Sequence, residues 1–337
     1  MSTAKKLLLF FLVLTVLSCK QEKTDSILIQ NTGEALGTTY SIQYESSVNL
    51  EEDLIEVFNI VNQSMSTYIA TSDISRINQG DTSVVVDVHF VNVFEASKEI
   101  WKKSNGYFDP TVGPLVNAYG FGPNGKMKGI DSTEIDSIRL FVGLEKVALT
   151  STNHIIKEDI RTFIDFNAIA KGYTIDLLGK VLEENNIENY LIELGGELLA
   201  KGRNNQSDNS WIVAVDDPTQ LEERTLIKTL RLENRGMATS GNYRKTRIDP
   251  QTGAKYVHSI NPKTGWPKKS NILSVSVLAE TCMKADGYAT AFMVMDLDET
   301  KTILQKEISL DAYIIYVDEE GILQEYLTDG FAKVIVE

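Results

Sequence analysis

The chain of 337 residues holds only 2 cysteines, 3 histidines and 7 prolines. Cys19 ends an apolar run and Cys282 stands beside Met283, so no disulfide framework exists and even a single bridge between such different neighbourhoods is disfavoured. Positive charge is scarce: 33 Lys and Arg face 47 Asp and Glu, a formal charge of −14 that repels a phosphate backbone and excludes nucleic acid as a partner. H-E-x-x-H and paired C-x-x-C patterns are missing, which argues against a zinc protease and a zinc finger. With 42% hydrophobic and 24% charged residues and 22 glycines, the disordered, collagenous and coiled-coil classes fall away, leaving a globular chain able to bury a core.

One long apolar run is present, Leu7 to Leu17, preceded by Lys5 and Lys6. It is too short for a permanent span, which needs roughly 20 residues, and reads as a signal peptide over residues 1–18. Leu17 and Ser18 followed by Cys19 fit a bacterial lipobox, with Cys19 lipidated at the mature N-terminus; ordinary secretion with an incidental cysteine is the alternative. The polar stretch 19–26 reads as a tether and 27–337 as the folded domain. The expected location is the periplasmic side of a bacterial membrane, held there by the lipid.

Period-3.6 patterns predict helices over Leu50–Met65, Phe90–Ser104 and Ile169–Glu184. Alternating or β-branched runs predict strands at Thr39–Tyr44, Tyr190–Glu193, Trp211–Val215, Leu226–Leu232, Leu273–Leu278 and Ala312–Val317. The two kinds are interspersed without a βαβ rhythm, which favours an α+β fold over a doubly wound sheet.

Four segments concentrate residues that a plain core does not require. Residues 106–122, GYFDPTVGPLVNAYGFG, read as a structured loop whose Tyr107, Phe108, Tyr119 and Phe121 either stack on a planar ring or anchor the loop to the core. Residues 165–176, DFNAIAKGYTID, read as a strand-like run ending at Asp165 and a helix start near Asn167 to Ala170. Backbone amides and Lys171 there could receive a pyrophosphate, or the segment is simply a capped amphipathic helix. Residues 238–267 carry two turn motifs, DPQTG and NPKTG, flanking a short strand with His258, the best of the three histidines for proton transfer; His89 and His154 read as structural or surface residues. In CMKADGYATAFMVM, residues 282–295, Asp286 and Thr290 lie one helical turn apart on one face. Together with a nearby carbonyl they make a hard-oxygen set suited to Mg²⁺, or else Asp286 serves the helix dipole and Thr290 is merely buried.

Taken in order, LGTTY (36–40), MSTYIATSDISRIN (65–78), FDPTVGPLVNAYGFG (108–122), DFNAIAKGYTID (165–176), IELGGELLAKG (192–202), ATSGNY (238–243), HSINPKTGWP (258–267) and ADGYATA (285–291) resemble the ApbE-like family of FAD:protein FMN transferases. The resemblance implies a mixed sheet-and-helix α+β fold with a central FAD cleft and Mg²⁺ at the pyrophosphate. It implies transfer of the FMN moiety from FAD to a Thr or Ser hydroxyl of an acceptor flavoprotein subunit, in a membrane or periplasmic redox complex, with release of AMP. Carried over by position, Asp286, Thr290 and the carbonyl of Ala168 are the implied metal ligands, and His258 the implied activator of the acceptor hydroxyl. Leu36, Tyr68, Tyr107, Phe108, Asp109, Asp165, Lys171 and Ile260 fall where the family lines its FAD site. Leu36 replaces the usual Met, and Asn167 and Ala168 replace smaller residues, which bears on the local turn rather than on a carbonyl ligand. A Mg²⁺-dependent FAD pyrophosphatase and a non-catalytic FAD-binding lipoprotein are the rival expectations.

Overall fold

A computed structural model describes residues 26–122, 131–218, 225–241, 259–268 and 271–336, with the backbone of 246–248 and 255–257. The signal peptide, Cys19, nearly all of the tether, and His258 lie outside the described residues. The strands, in chain order, are β1 Ile27–Ala35, β2 Thr38–Ser46, β3 Val147–Leu149, β4 Ile155–Lys157, β5 Tyr190–Leu194, β6 Glu197–Lys201, β7 Trp211–Asp216, β8 Leu226–Leu232, β9 Arg235–Gly241, β10 Thr246–Ile248, β11 Lys255–Val257, β12 Ile272–Ala279, β13 Asp311–Val317, β14 Leu323–Leu327 and β15 Ile335–Val336. The helices are α1 Glu51–Met65, α2 Asp73–Asn78, α3 Val88–Lys103, α4 Gly113–Ala118, α5 Ser132–Arg139, α6 Ala170–Glu184, α7 Cys282–Val294, α8 Leu297–Lys306 and α9 Asp329–Ala332.

Eight strands form one antiparallel sheet in the order β1-β2-β5-β6-β9-β12-β13-β14. Helices α6 and α7 cover one face of it, while the three-stranded sheet β15-β8-β7 closes over the other through Leu198, Trp211, Leu230, Leu278 and Tyr313. Because β12 is sandwiched between these layers, nearly all of ILSVSVLA is buried, and the apolar run loses its alternation. Helix α7 is apolar over most of its circumference and correspondingly buried along most of its length. Asp286 is its only acid. No helix among the described residues is long and apolar enough to cross a membrane.

The three expected helices appear as α1, α3 and α6. Helix α3 begins two residues early because Asp87 caps it, accepting the Phe90 N–H at 2.8 Å. All six expected strands are present. Two local expectations change. The 106–122 segment contains a helix, α4, with Pro114 in its first turn, where a missing N–H costs nothing. Phe108 and Tyr119 are buried, so they anchor the segment instead of offering open flat surfaces. The strand-like run ending at Asp165 makes only an isolated bridge, Val112 to Phe163.

Candidate active site

The site begins with two helices that touch backbone to backbone. A Cβ on Gly172 would lie 2.4 Å from the Cys282 carbonyl oxygen, so only glycine lets α6 and α7 cross this closely. The crossing brings the Gly172 N–H to 3.1 Å from Asp286 Oδ2, and places Thr290 Oγ1 3.5 Å from the Ala168 carbonyl oxygen. Asp286 is buried, and burial pushes its carboxyl above the ordinary carboxylate range, against the pull of the Lys171 ammonium. The Gly172 N–H is the one hydrogen-bond donor it takes among the described residues.

Lys171 sits at this crossing, with its side chain 30% exposed. Its Nζ donates to Glu197 Oε1 on the first residue of β6. Burial alone would lower the Lys171 pKa, but the charges of Glu197 and Asp286 outweigh that and hold it above the usual value. Asp176, one α6 turn further on, accepts the N–H groups of Cys282 and Met283 at 2.8 and 2.9 Å and thereby fixes the N-terminus of α7. Burial lifts Asp176 to about 7. Glu197 and Asp286 thus share the one Lys171 ammonium, while the charges of Asp286 and Lys284 act on Asp176.

Among the described residues no three His, Cys, Asp or Glu side chains gather as a metal cluster, so a cation here would rely on mixed oxygen donors. Octahedral coordination at 2.0 to 2.1 Å sets neighbouring donors about 3 Å apart. The 3.5 Å between Ala168 O and Thr290 Oγ1 is close to that edge, and the carboxylate, hydroxyl and carbonyl set, with its surplus negative charge, fits a hard dication.

The remaining expected residues surround this crossing to different degrees. Pro110 O accepts the Asp165 N–H at 2.7 Å, which ties the Asp109 loop to the segment leading into Ala168. Asp165 accepts the Asn167 N–H at 2.8 Å, sits where burial raises its pKa, and its charge acts on Tyr68, which is 68% exposed. Tyr107 lies under the Lys263 ammonium, 4.3 Å from its ring centroid, and donates to Glu299 at 3.3 Å; its hydroxyl is pushed up to about 12 by burial and by Glu299. Asp109 is spent on the fold: it accepts from Thr111 N at 2.8 Å, Thr111 Oγ1 at 2.6 Å and Leu144 N at 3.2 Å. The Ile260 side chain packs with Leu115, Tyr119, Ile135 and Val142, a cluster separate from the one holding Phe108. Leu36 packs against both clusters that α6 and α7 build.

Leu36 also has a backbone φ of +50°. The other five non-glycine residues with positive φ among those described are all Asn or Asp, which tolerate it; Leu does not. Leu36-Gly37 forms the two-residue tip of the β1–β2 hairpin, and Gly195-Gly196 the tip of the β5–β6 hairpin beside it. The Gly195 N–H donates to Thr39 O, so the two tips are locked together.

Sequence reasoning missed Glu197 and Asp176. Each is an acid inside an apolar pattern, Glu197 directly after a Gly-Gly turn, and that mismatch is the signal that marks them. A G-x-G-x-x-G pattern stands at 120–125, but it follows helix α4 and not a strand, so it lacks the context of a dinucleotide fingerprint. Two cavities of about 500 and 330 Å³ are lined by none of the expected site residues.

An eight-stranded antiparallel sheet, backed by two helices that cross at a glycine and present an acid, an alcohol and a carbonyl, defines an α+β protein with a polar oxygen site at its helical face. The chain belongs to the ApbE family, whose model matches residues 36–314. It is 32% identical to the FAD:protein FMN transferase of Haemophilus influenzae over 324 residues, 92% of each chain, and 31% identical to that of Escherichia coli, covering 84% of this chain and 82% of the relative. The solved flavin transferase ApbE from Vibrio cholerae superposes with a TM-score of 0.81 at 30% identity, covering 92% of this chain and 99% of that one.

Proposed function

We propose that this protein is an FAD:protein FMN transferase that joins the FMN moiety of FAD to a Thr or Ser hydroxyl of an acceptor protein and releases AMP. The observation that carries the reading is the pairing of Asp286 and Thr290, one turn apart on α7, with the Ala168 carbonyl across the glycine crossing. These three would hold Mg²⁺, which when bound supplies charge neutralisation at the pyrophosphate.

The chain's own groups do the rest. Leu36 presents an apolar surface for the flavin, and Tyr68, Tyr107, Phe108, Asp109, Asp165, Lys171 and Ile260 form or brace the wall around it. Phe108 and Asp109 act from behind that wall, since one is core and the other is fully hydrogen-bonded. His258 takes the proton from the acceptor hydroxyl as its oxygen bonds to the FMN phosphorus; the bond from that phosphorus to the AMP oxygen breaks, and AMP leaves with the electron pair. The chain is anchored through lipidated Cys19 at the periplasmic side of a bacterial membrane, where the acceptor subunit of a redox complex is within reach; the residue pattern before Cys19 supports this.

Incubation with FAD, Mg²⁺ and an acceptor domain tests the reading. Covalent flavin on the acceptor is the expected result. Free FMN and AMP alone would make the protein a pyrophosphatase, and unchanged FAD would make it a binding protein.

A further inference from the structure

Glu197 is 5% exposed and follows the Gly195-Gly196 turn, whose two positive φ values, 65° and 102°, set it as the first residue of β6 facing α6. Lys171 Nζ donates to its Oε1, while Oε2 is buried without a hydrogen-bond partner among the described residues. A buried acid with an unsatisfied oxygen is costly, so the position demands a reason. Among the described residues the same ammonium is the one cation whose charge acts on Asp286, yet its hydrogen bond goes to Glu197. The geometry has it on Glu197, which leaves Asp286 with a single N–H donor.

We propose that Glu197 is a positioning residue that draws the Lys171 ammonium away from Asp286, so that the Asp286 carboxylate keeps a free coordination position for a divalent cation. This rests on Asp286 being a metal ligand. The local count, two carboxylates and one ammonium, leaves one net negative charge; removing the charge of Glu197 removes that surplus and frees Lys171 to close onto Asp286 as a competing internal cation.

Mn²⁺ binding to the mature chain without flavin, read from the electron paramagnetic resonance of the free ion, tests it. Glu197→Gln should weaken Mn²⁺ binding by about tenfold or more. Glu197→Gln combined with Lys171→Met should restore it to within about threefold of wild type, because the competing cation is gone and the net charge returns to one negative. Glu197→Gln binding Mn²⁺ as tightly as wild type would overturn the proposal, as would a double variant no tighter than Glu197→Gln. If Glu197→Gln does not fold, the double variant, which removes both members of the buried ion pair, carries the test: near-wild-type affinity supports the proposal and loss of binding overturns it. Asp286→Asn separates the two levels. Undiminished binding in that variant would remove the metal-ligand reading itself, whereas lost binding there with an unaffected Glu197→Gln would remove only the role of Glu197.

Discussion

Asp109 and Asp286 are both buried aspartates beside a Gly-containing turn or crossing, and both are lifted above the ordinary carboxylate range by burial. Their surroundings differ in what is left over. Asp109 receives three hydrogen bonds, two from Thr111 and one from Leu144, and Thr111 Oγ1 in turn accepts the Gly143 N–H at 2.6 Å, so the loop is a closed network. Asp286 receives one, on a helix otherwise free of acids. Burial and a perturbed pKa therefore do not separate a structural acid from a chemical one; unspent hydrogen-bonding capacity facing other oxygen donors does.

The largest test of that contrast is Asp286→Ala. Several kcal/mol of charge stabilisation is lost, equivalent to roughly 10³-fold or more in FMN transfer, while the thermal midpoint stays level or rises because a buried charge has gone. Near-wild-type transfer in this variant would erase the distinction. Asp109→Ala is the mirror experiment. It strands the buried N–H groups of Thr111 and Leu144 and should cost about 3 kcal/mol of stability, read by denaturant unfolding, while Mn²⁺ affinity of the folded protein changes little; a large loss of Mn²⁺ affinity would put Asp109 on the chemical side.

Asp176 sharpens the comparison, since both of its oxygens are spent on α7 yet it titrates near neutrality. Its folded value of about 7 exceeds the ordinary 3.8, so the native state holds the proton more tightly than the unfolded chain. Its contribution to stability is present at low pH and is lost as pH rises from 3.8 through about 7. The metal-free protein should therefore lose thermal stability across that window more steeply than Asp176→Asn, and parallel pH profiles would place the shift on other acids. The smallest effect belongs to Leu36. Leu36→Asn relieves the left-handed backbone and should stabilise the fold by up to about 1 kcal/mol, while weakening FAD binding in a fluorescence titration; unchanged FAD affinity would show that the strain serves the hairpin and not the flavin.

The α+β class and the long elements were legible because their patterns are local properties: α6 carries a helical stripe that packs on the sheet, and β12 a nearly continuous apolar run that the layers on its two faces explain. Strand β1, ILIQNTGEA, was not, because an edge strand with one covered neighbour keeps polar residues on both faces. Helix α4 was hidden in a Gly- and Pro-rich stretch whose proline sits at the one helical position that accepts it. Among site residues, Asp286 and Thr290 could be paired from their spacing alone, whereas the ion pair of Lys171 with Glu197 was not legible, because the two lie 26 positions apart, one on a helix and one on a strand.

By itself the sequence determined the fold class and the helical face that carries Asp286 and Thr290, since these follow from spacings of two, three and four residues, and it pointed to the family through eight motifs in chain order. Only the tertiary structure decided which acids are spent and which are not. Gly172 lets two backbones meet, the paired hairpin tips carry Glu197 to Lys171, and whether a buried charge is neutralised depends on groups that come within a few ångströms only after the chain has folded.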